Sequence, residues 1–244
     1  MLIYKYKKMT PSNINSEYSI LITQSDIKLT GKKYPQINKC SENSKIWIKN
    51  MIKCKCNLPI MFTDNIFYLE ETAILTDILS DPYLPFNNGL IVNEKVKDIL
   101  SKFNLCEHYY YKIKISHNDT LYENYYVLQL ISKLNDKKII EYIDVRQSSF
   151  YIGLPPNTKF ETISFNNLNE IEEKRKSLLE DVSITKMVCR DFLTFSKQEL
   201  NNLDLFTISF LDINIYISNR LRDNMMINMI TGIDILLTNK IQLL

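Results

Sequence analysis

The chain has 244 residues, 45% of them hydrophobic, which is enough for a sizeable core in one large domain or two small ones. Lys and Arg number 30 against 28 Asp and Glu, a formal charge of +2, so the basic excess that marks a nucleic-acid binder does not stand out. Four glycines are too few for a Walker or dinucleotide-binding loop, whose backbone must approach a phosphate closely.

The opening MLIYKYKKM carries lysines but no apolar stretch of signal-peptide length follows it. No run approaches the ~18 apolar residues that span a bilayer. A cytoplasmic chain with no membrane and no nucleic-acid partner is therefore expected. Residues 2–6 and 17–23 read as strands. The polar, turn-rich stretch 31–44 reads as a loop. Ser44 is placed to cap a short helix over 45–53, with Trp47 as a candidate core anchor. Residues 58–69 suggest a strand, a turn and a strand. In 70–81, Ala73, Ile74, Ile78 and Leu79 fall near one helical face, and Pro82 and Pro85 would stop that helix.

Leu90 to Val92 predicts a short strand, with Asn93 as N-cap of a helix carrying Val96, Ile99, Leu100 and Phe103. Strands at 106–115 and 121–132 flank the turn Asn118-Asp119 and predict an antiparallel hairpin, extended by 137–145 as the third strand of a meander. PPNTK breaks structure, and the charged segment 166–181 reads as an exposed linker helix. Strands follow at 186–195 and 204–210. Ile215 to Ile217 is a further strand, with Ser218 as cap and Leu221, Met225 and Met229 on one helical face. Gly232 suits a left-handed stop, and 233–237 leaves as a strand.

Few residues suggest chemistry. The five cysteines, Cys40, Cys54, Cys56, Cys106 and Cys189, are an odd set with no secretory context, which reads as thiols and not as a disulfide framework. Cys54 and Cys56 form a C-x-C pair, but His108 and His117 lack ligand spacing to it, so no metal and no cofactor is expected. Neither histidine accompanies a nucleophile motif, and no catalytic residue is assigned. Glu70, Glu71, Asp77 and Asp81 form an acidic cluster, with Glu70 and Asp77 on one face of the expected helix. That cluster reads as a solvated face, an acid-base pair or a contact surface for a basic partner. Consecutive tyrosines at 109–111 alternate across a strand, so Tyr109 and Tyr111 share a face. They are either sheet packing or outward binding anchors.

The segments at 90–115 and 215–236 repeat one phrase. Val92 matches Ile217, Asn93 Ser218, Lys95 Arg220, Val96 Leu221, Lys97 Arg222 and Asp98 Asp223, without a gap. Any capped strand-helix-strand has this look. A duplicated unit, packed twice on a shared sheet, is the sharper explanation. The resulting expectation is a single α+β domain over 1–244, with a largely antiparallel sheet and capped helices at 93–104 and 218–230.

The ordered phrases GLIVNEKVKDIL (89–100), YYVLQLI (125–131), YIDVRQSSF (142–150) and IYISNRLRDNMMINMITGIDI (215–235) resemble a bacterial family of polymorphic-toxin immunity proteins, the group numbered eleven. The likeness spans about the last two-thirds of the chain. Asn93 stands where that family more often has serine, and both residues cap. The resemblance implies a protein that binds and neutralises a cognate toxin encoded next to it. It carries over no catalytic residue. An interaction domain unrelated to toxins, and a hydrolase around His108 or His117, are the rival expectations.

Overall fold

A computed structural model describes residues 17–23, 26–32, 34–53, 65–84, 89–131, 142–154, 158–180, 187–195, 202–208, 214–238 and 241–243. The expected strand at 2–6 and most of the segment 58–69 lie outside them. In chain order the elements begin with β1 (Tyr18–Thr23), the single turn α1 (Ile27–Thr30), β2 (Ile37–Cys40), α2 (Glu42–Lys53), β3 (Ile66–Leu69) and β4 (Ile78–Leu79). Next come β5 (Gly89–Asn93), α3 (Glu94–Leu100), β6 (His108–His117), β7 (Thr120–Leu130), β8 (Ile143–Leu154), β9 (Thr158–Ile163) and α4 (Leu168–Glu180). The last are β10 (Met187–Phe195), β11 (Leu205–Thr207), β12 (Ile215–Ser218), α5 (Asn219–Ile227), β13 (Ile233–Leu237) and β14 (Ile241–Leu243).

The class is α+β, as expected. A six-stranded sheet has the order β2-β3-β6-β7-β5-β4, and two four-stranded sheets have the orders β11-β12-β1-β13 and β14-β10-β8-β9. Among the described strand pairs only β3–β6 and β10–β14 are parallel. The hairpin β6–β7 forms because Asn118 (φ 47) and Asp119 (φ 60) both adopt the left-handed conformation that a two-residue turn needs to match strand twist. Alternation then buries both faces of the large sheet. Leu90, Val92, Leu128 and Leu130 join the core around α3, while Ile91, Tyr111, Ile113, Ile115, Tyr125 and Val127 pack with Trp47 of α2.

Four expectations need correction. First, α2 starts at Glu42, and its cap is Ser41, not Ser44: the Ser44 N–H donates to Ser41 Oγ at 3.3 Å. The preceding stretch is not all loop. It holds β2, an edge strand with Asn38 and Lys39 exposed, whose polarity hides it. Second, 70–81 is no helix. The chain turns at Glu71 and Thr72 and runs extended into β4. Thr72 donates from its N–H (2.9 Å) and its hydroxyl (2.6 Å) to the Glu70 carboxylate. The Gln36 amide donates to Ile74 O at 2.8 Å and accepts from Ser80 N–H at 3.0 Å. Such side-chain bonds to the backbone compete with helix formation, and β-branched threonines add little in its favour.

Third, most of the expected strand 137–145 lies outside the described residues, and its end, which opens β8, does not extend the meander. Both edges of β7 are taken, by β6 and β5, so β8 pairs instead with β9 and β10. Fourth, the two similar units do not lie on one sheet. β5-α3-β6 belongs to the six-stranded sheet and β12-α5-β13 to a four-stranded one. Their helices nevertheless share a core, which includes Val96, Ile99, Leu100, Leu221 and Met225. Both caps are as expected: Asn93 Oδ1 accepts from Val96 N–H at 3.1 Å, and Ser218 Oγ from Leu221 N–H at 3.2 Å. Helix α4 forms over the expected stretch, packs against β10 and buries Ile171.

Candidate interaction surface

Two carboxylates stand at the helix caps. Asp77, just before β4, accepts from the Asn93 side-chain amide at 2.8 Å and from the Thr231 N–H and hydroxyl at 2.9 and 2.8 Å. Lys95 Nζ lies 3.7 Å away. Asp204, just before β11, is fully buried and accepts from the Ser218 hydroxyl, from the Asn104 N–H at 2.9 Å, and from the Arg220 guanidinium through Nε and Nη2. Burial alone would raise both carboxyls. These hydrogen bonds, with Lys95 and Arg220, outweigh it and hold both below the usual carboxylate range. Sequence reading missed Asp204. The signal that could have found it is an acid directly before a short apolar strand that is followed by a second strand and a capped helix.

The six residues expected to meet a partner are not brought together. Asp77 is engaged as above. Glu70 is buried and binds Thr72, whose hydrogen bonds lower its carboxyl. Asp81 accepts from the N–H groups of Tyr83 (2.9 Å) and Leu84 (2.7 Å), and burial pushes its carboxyl up. Tyr111 is a core residue at 3% exposure, edge-on to Trp47 with ring centroids 5.1 Å apart. Burial pushes its hydroxyl up to about 12. Tyr109 is half-buried and reaches Glu107, and Glu71 alone of the six is exposed.

The histidines are separated as well. They stand at the two ends of β6, roughly 30 Å apart at strand rise. His108 donates from Nδ1 to Cys106 O at 2.8 Å, and His117 Nε2 lies 3.3 Å from Glu71 O. Cys40 and Cys106 are buried, while Cys54 and Cys56 lie outside the described residues. Among the described residues no three His, Cys, Asp or Glu side chains converge as metal ligands. No described helix is long and apolar enough to cross a membrane.

The end of α5 carries the densest exposed apolar group among the described residues. Met226, Ile227 and Met229 are 65%, 78% and 79% exposed within four residues of chain. Met229 was expected on the buried face beside Leu221 and Met225, but α5 stops at Ile227 and leaves it outside. The stop is a Schellman motif: Ile230 N–H donates to Met225 O, and Met229 N–H to Met226 O, each at 3.0 Å. The residue whose positive φ closes the motif is Met229 itself (φ 50); Gly232, expected as the stop, also has positive φ (88) but lies three residues beyond it. Replacing Met229 by glycine should therefore stabilise the protein by about 0.5–1 kcal/mol, since a side chain at positive φ is strained. A urea midpoint no higher than that of the unaltered protein would contradict this.

No protein-family model matches the sequence, and no match is found among curated proteins.

Proposed function

We propose that this chain is an immunity protein, a binding module without turnover that neutralises a cognate bacterial toxin by forming a complex with it. It would act in the cytoplasm of the cell that makes it, and its partner would be encoded beside it. The observation that carries this reading is the order and spacing of the four phrases that resemble such a family. The exposed Met226, Ile227 and Met229 support it, because clustered exposed apolar side chains are how partner surfaces usually differ from the rest of a monomer. Methionine adds adaptable contact area.

The test is co-expression with the neighbouring gene product, followed by pull-down and affinity measurement. A partner that kills cells when expressed alone, and is silenced at nanomolar affinity by this chain, is the expected result. Absence of both binding and protection would refute the reading. The surface is tested separately, by M226K together with I227K. These exposed changes should alter unfolding stability by no more than about 0.5 kcal/mol, yet weaken partner binding by about 100-fold or more, as hot-spot loss does. Unchanged binding would move the interface away from α5.

A further inference from the structure

We infer that the chain carries one strand-strand-helix-strand unit twice, that the second copy takes its central strand from β1 at the other end of the described chain, and that two aspartates tie each copy's helix to the opposite copy.

The strand orders β4-β5-β7-β6 and β11-β12-β1-β13 correspond one to one. In each, a short edge strand lies antiparallel to the strand that enters the capped helix. The strand after the helix runs parallel to that entry strand, with one antiparallel strand between them. The chain from Asn93 to His108 has the same length as that from Ser218 to Ile233. In the first copy β6 turns directly into its central strand through Asn118-Asp119. In the second, Leu237 at the end of β13 faces Ser19 near the start of β1, the position such a turn would join. The second copy is thus a circular permutation of the first.

General strand-helix-strand geometry explains that much, but not the side chains. The cap residue faces a tyrosine of the central strand in both copies, Asn93 opposite Tyr125 and Ser218 opposite Tyr18. Each tyrosine donates its hydroxyl to the carbonyl just before the aspartate: Tyr125 to Thr76 O at 2.7 Å and Tyr18 to Leu203 O at 3.3 Å. Each aspartate carbonyl accepts from its cap's N–H, at 2.9 Å for Asn93 and 2.8 Å for Ser218. Each carboxylate binds its cap's side chain and the basic residue two positions on, Lys95 or Arg220. Each then crosses over. Asp77 of the first copy holds Thr231, beyond the second helix, and Asp204 of the second copy holds Asn104, beyond the first, both through N–H groups at 2.9 Å. A strand, a helix and a sheet need neither the tyrosine nor the acid, so their recurrence at the same positions, with the same partners, points to copying.

The crossed bonds give the test, by amide hydrogen exchange on the full chain. D77N should speed exchange about 10-fold or more at Val96, in its own copy, and at Thr231, in the other. D204N should do the same at Leu221 and at Asn104. Effects confined to the substituted copy would overturn the reciprocal tie. If either variant fails to fold, Y125F and Y18F remove one hydroxyl from each copy. Equivalent units should lose thermal midpoint by amounts within a degree or two of each other. A loss in one copy with none in the other would overturn the equivalence.

Discussion

Alanine at position 232 should destabilise the protein by about 4 kcal/mol, at the upper end of what single substitutions do. Gly232 has φ +88, a conformation that already penalises any Cβ. Steric contact adds more. A Cβ there would stand 1.9 Å from Ile78 O and 2.6 Å from Thr76 Oγ1. That backbone cannot step aside cheaply. Ile78 pairs with Val92 in the large sheet, and its N–H donates to Thr231 O at 3.1 Å. The alanine must therefore open the seam between β4 and the segment that follows α5. Asparagine tolerates the left-handed conformation better than alanine but carries the same Cβ, so G232N should lose nearly as much. Urea unfolding of both variants decides the point. Near-normal stability for G232N, with a loss confined to alanine, would make the dihedral the cause and the contact irrelevant.

That glycine illustrates where sequence reading ends. Features set by neighbouring residues are legible: the caps at Asn93 and Ser218, the Asn118-Asp119 turn, and the alternation in β6 and β7. Features set by distant chain are not. Gly232 reads as a helix stop, yet Met229 performs that task, and the need for glycine comes from Ile78 in another sheet. The apolar spacing of 70–81 suits a helix, but the side chain of Gln36, far away in sequence, holds it extended. Tyr109 and Tyr111 share one face of their strand, as residues two apart should. Which face meets Trp47 depends on where α2 docks, and no local pattern encodes that. Likewise the acids at 70–81 look like a surface cluster until the turn at Glu70 and the crossing bond of Asp77 separate them.

The two units differ in the surface they present at equivalent positions. Met226, Ile227 and Met229 correspond by position to Ser101, Lys102 and Asn104, which are also exposed. The first helix ends two positions earlier, and polar residues stand there. Packing therefore does not demand apolar side chains at the end of α5.

Removing the Asp204 carboxylate should cost about 3 kcal/mol at neutral pH, the range for breaking a buried hydrogen-bonded charge. Asp204→Ala takes the acceptor from the Ser218 hydroxyl and the Asn104 N–H at the junction of β11, β12 and the end of α3. Arg220 is mostly exposed, so Asp204→Ala strands no buried cation, whereas Arg220→Ala leaves the buried carboxylate with the Ser218 and Asn104 donors but no counter-charge and should cost a comparable amount. The acid response follows from the same geometry. Asp204 and Asp77 are both held below the usual carboxylate value despite burial, so the unfolded chain takes up protons first as pH falls. Their stabilisation is complete above the unfolded carboxylate value of about 4 and declines as pH drops through it toward the folded values. Asp81, raised by burial, acts with the opposite sign and cannot produce that decline. Asp204→Asn should therefore flatten the loss of stability between roughly pH 5 and pH 2 relative to the unaltered chain. Chemical denaturation across that range measures it. An acid slope identical in the two proteins would show that the Asp204 carboxylate is not among the groups whose protonation drives acid unfolding.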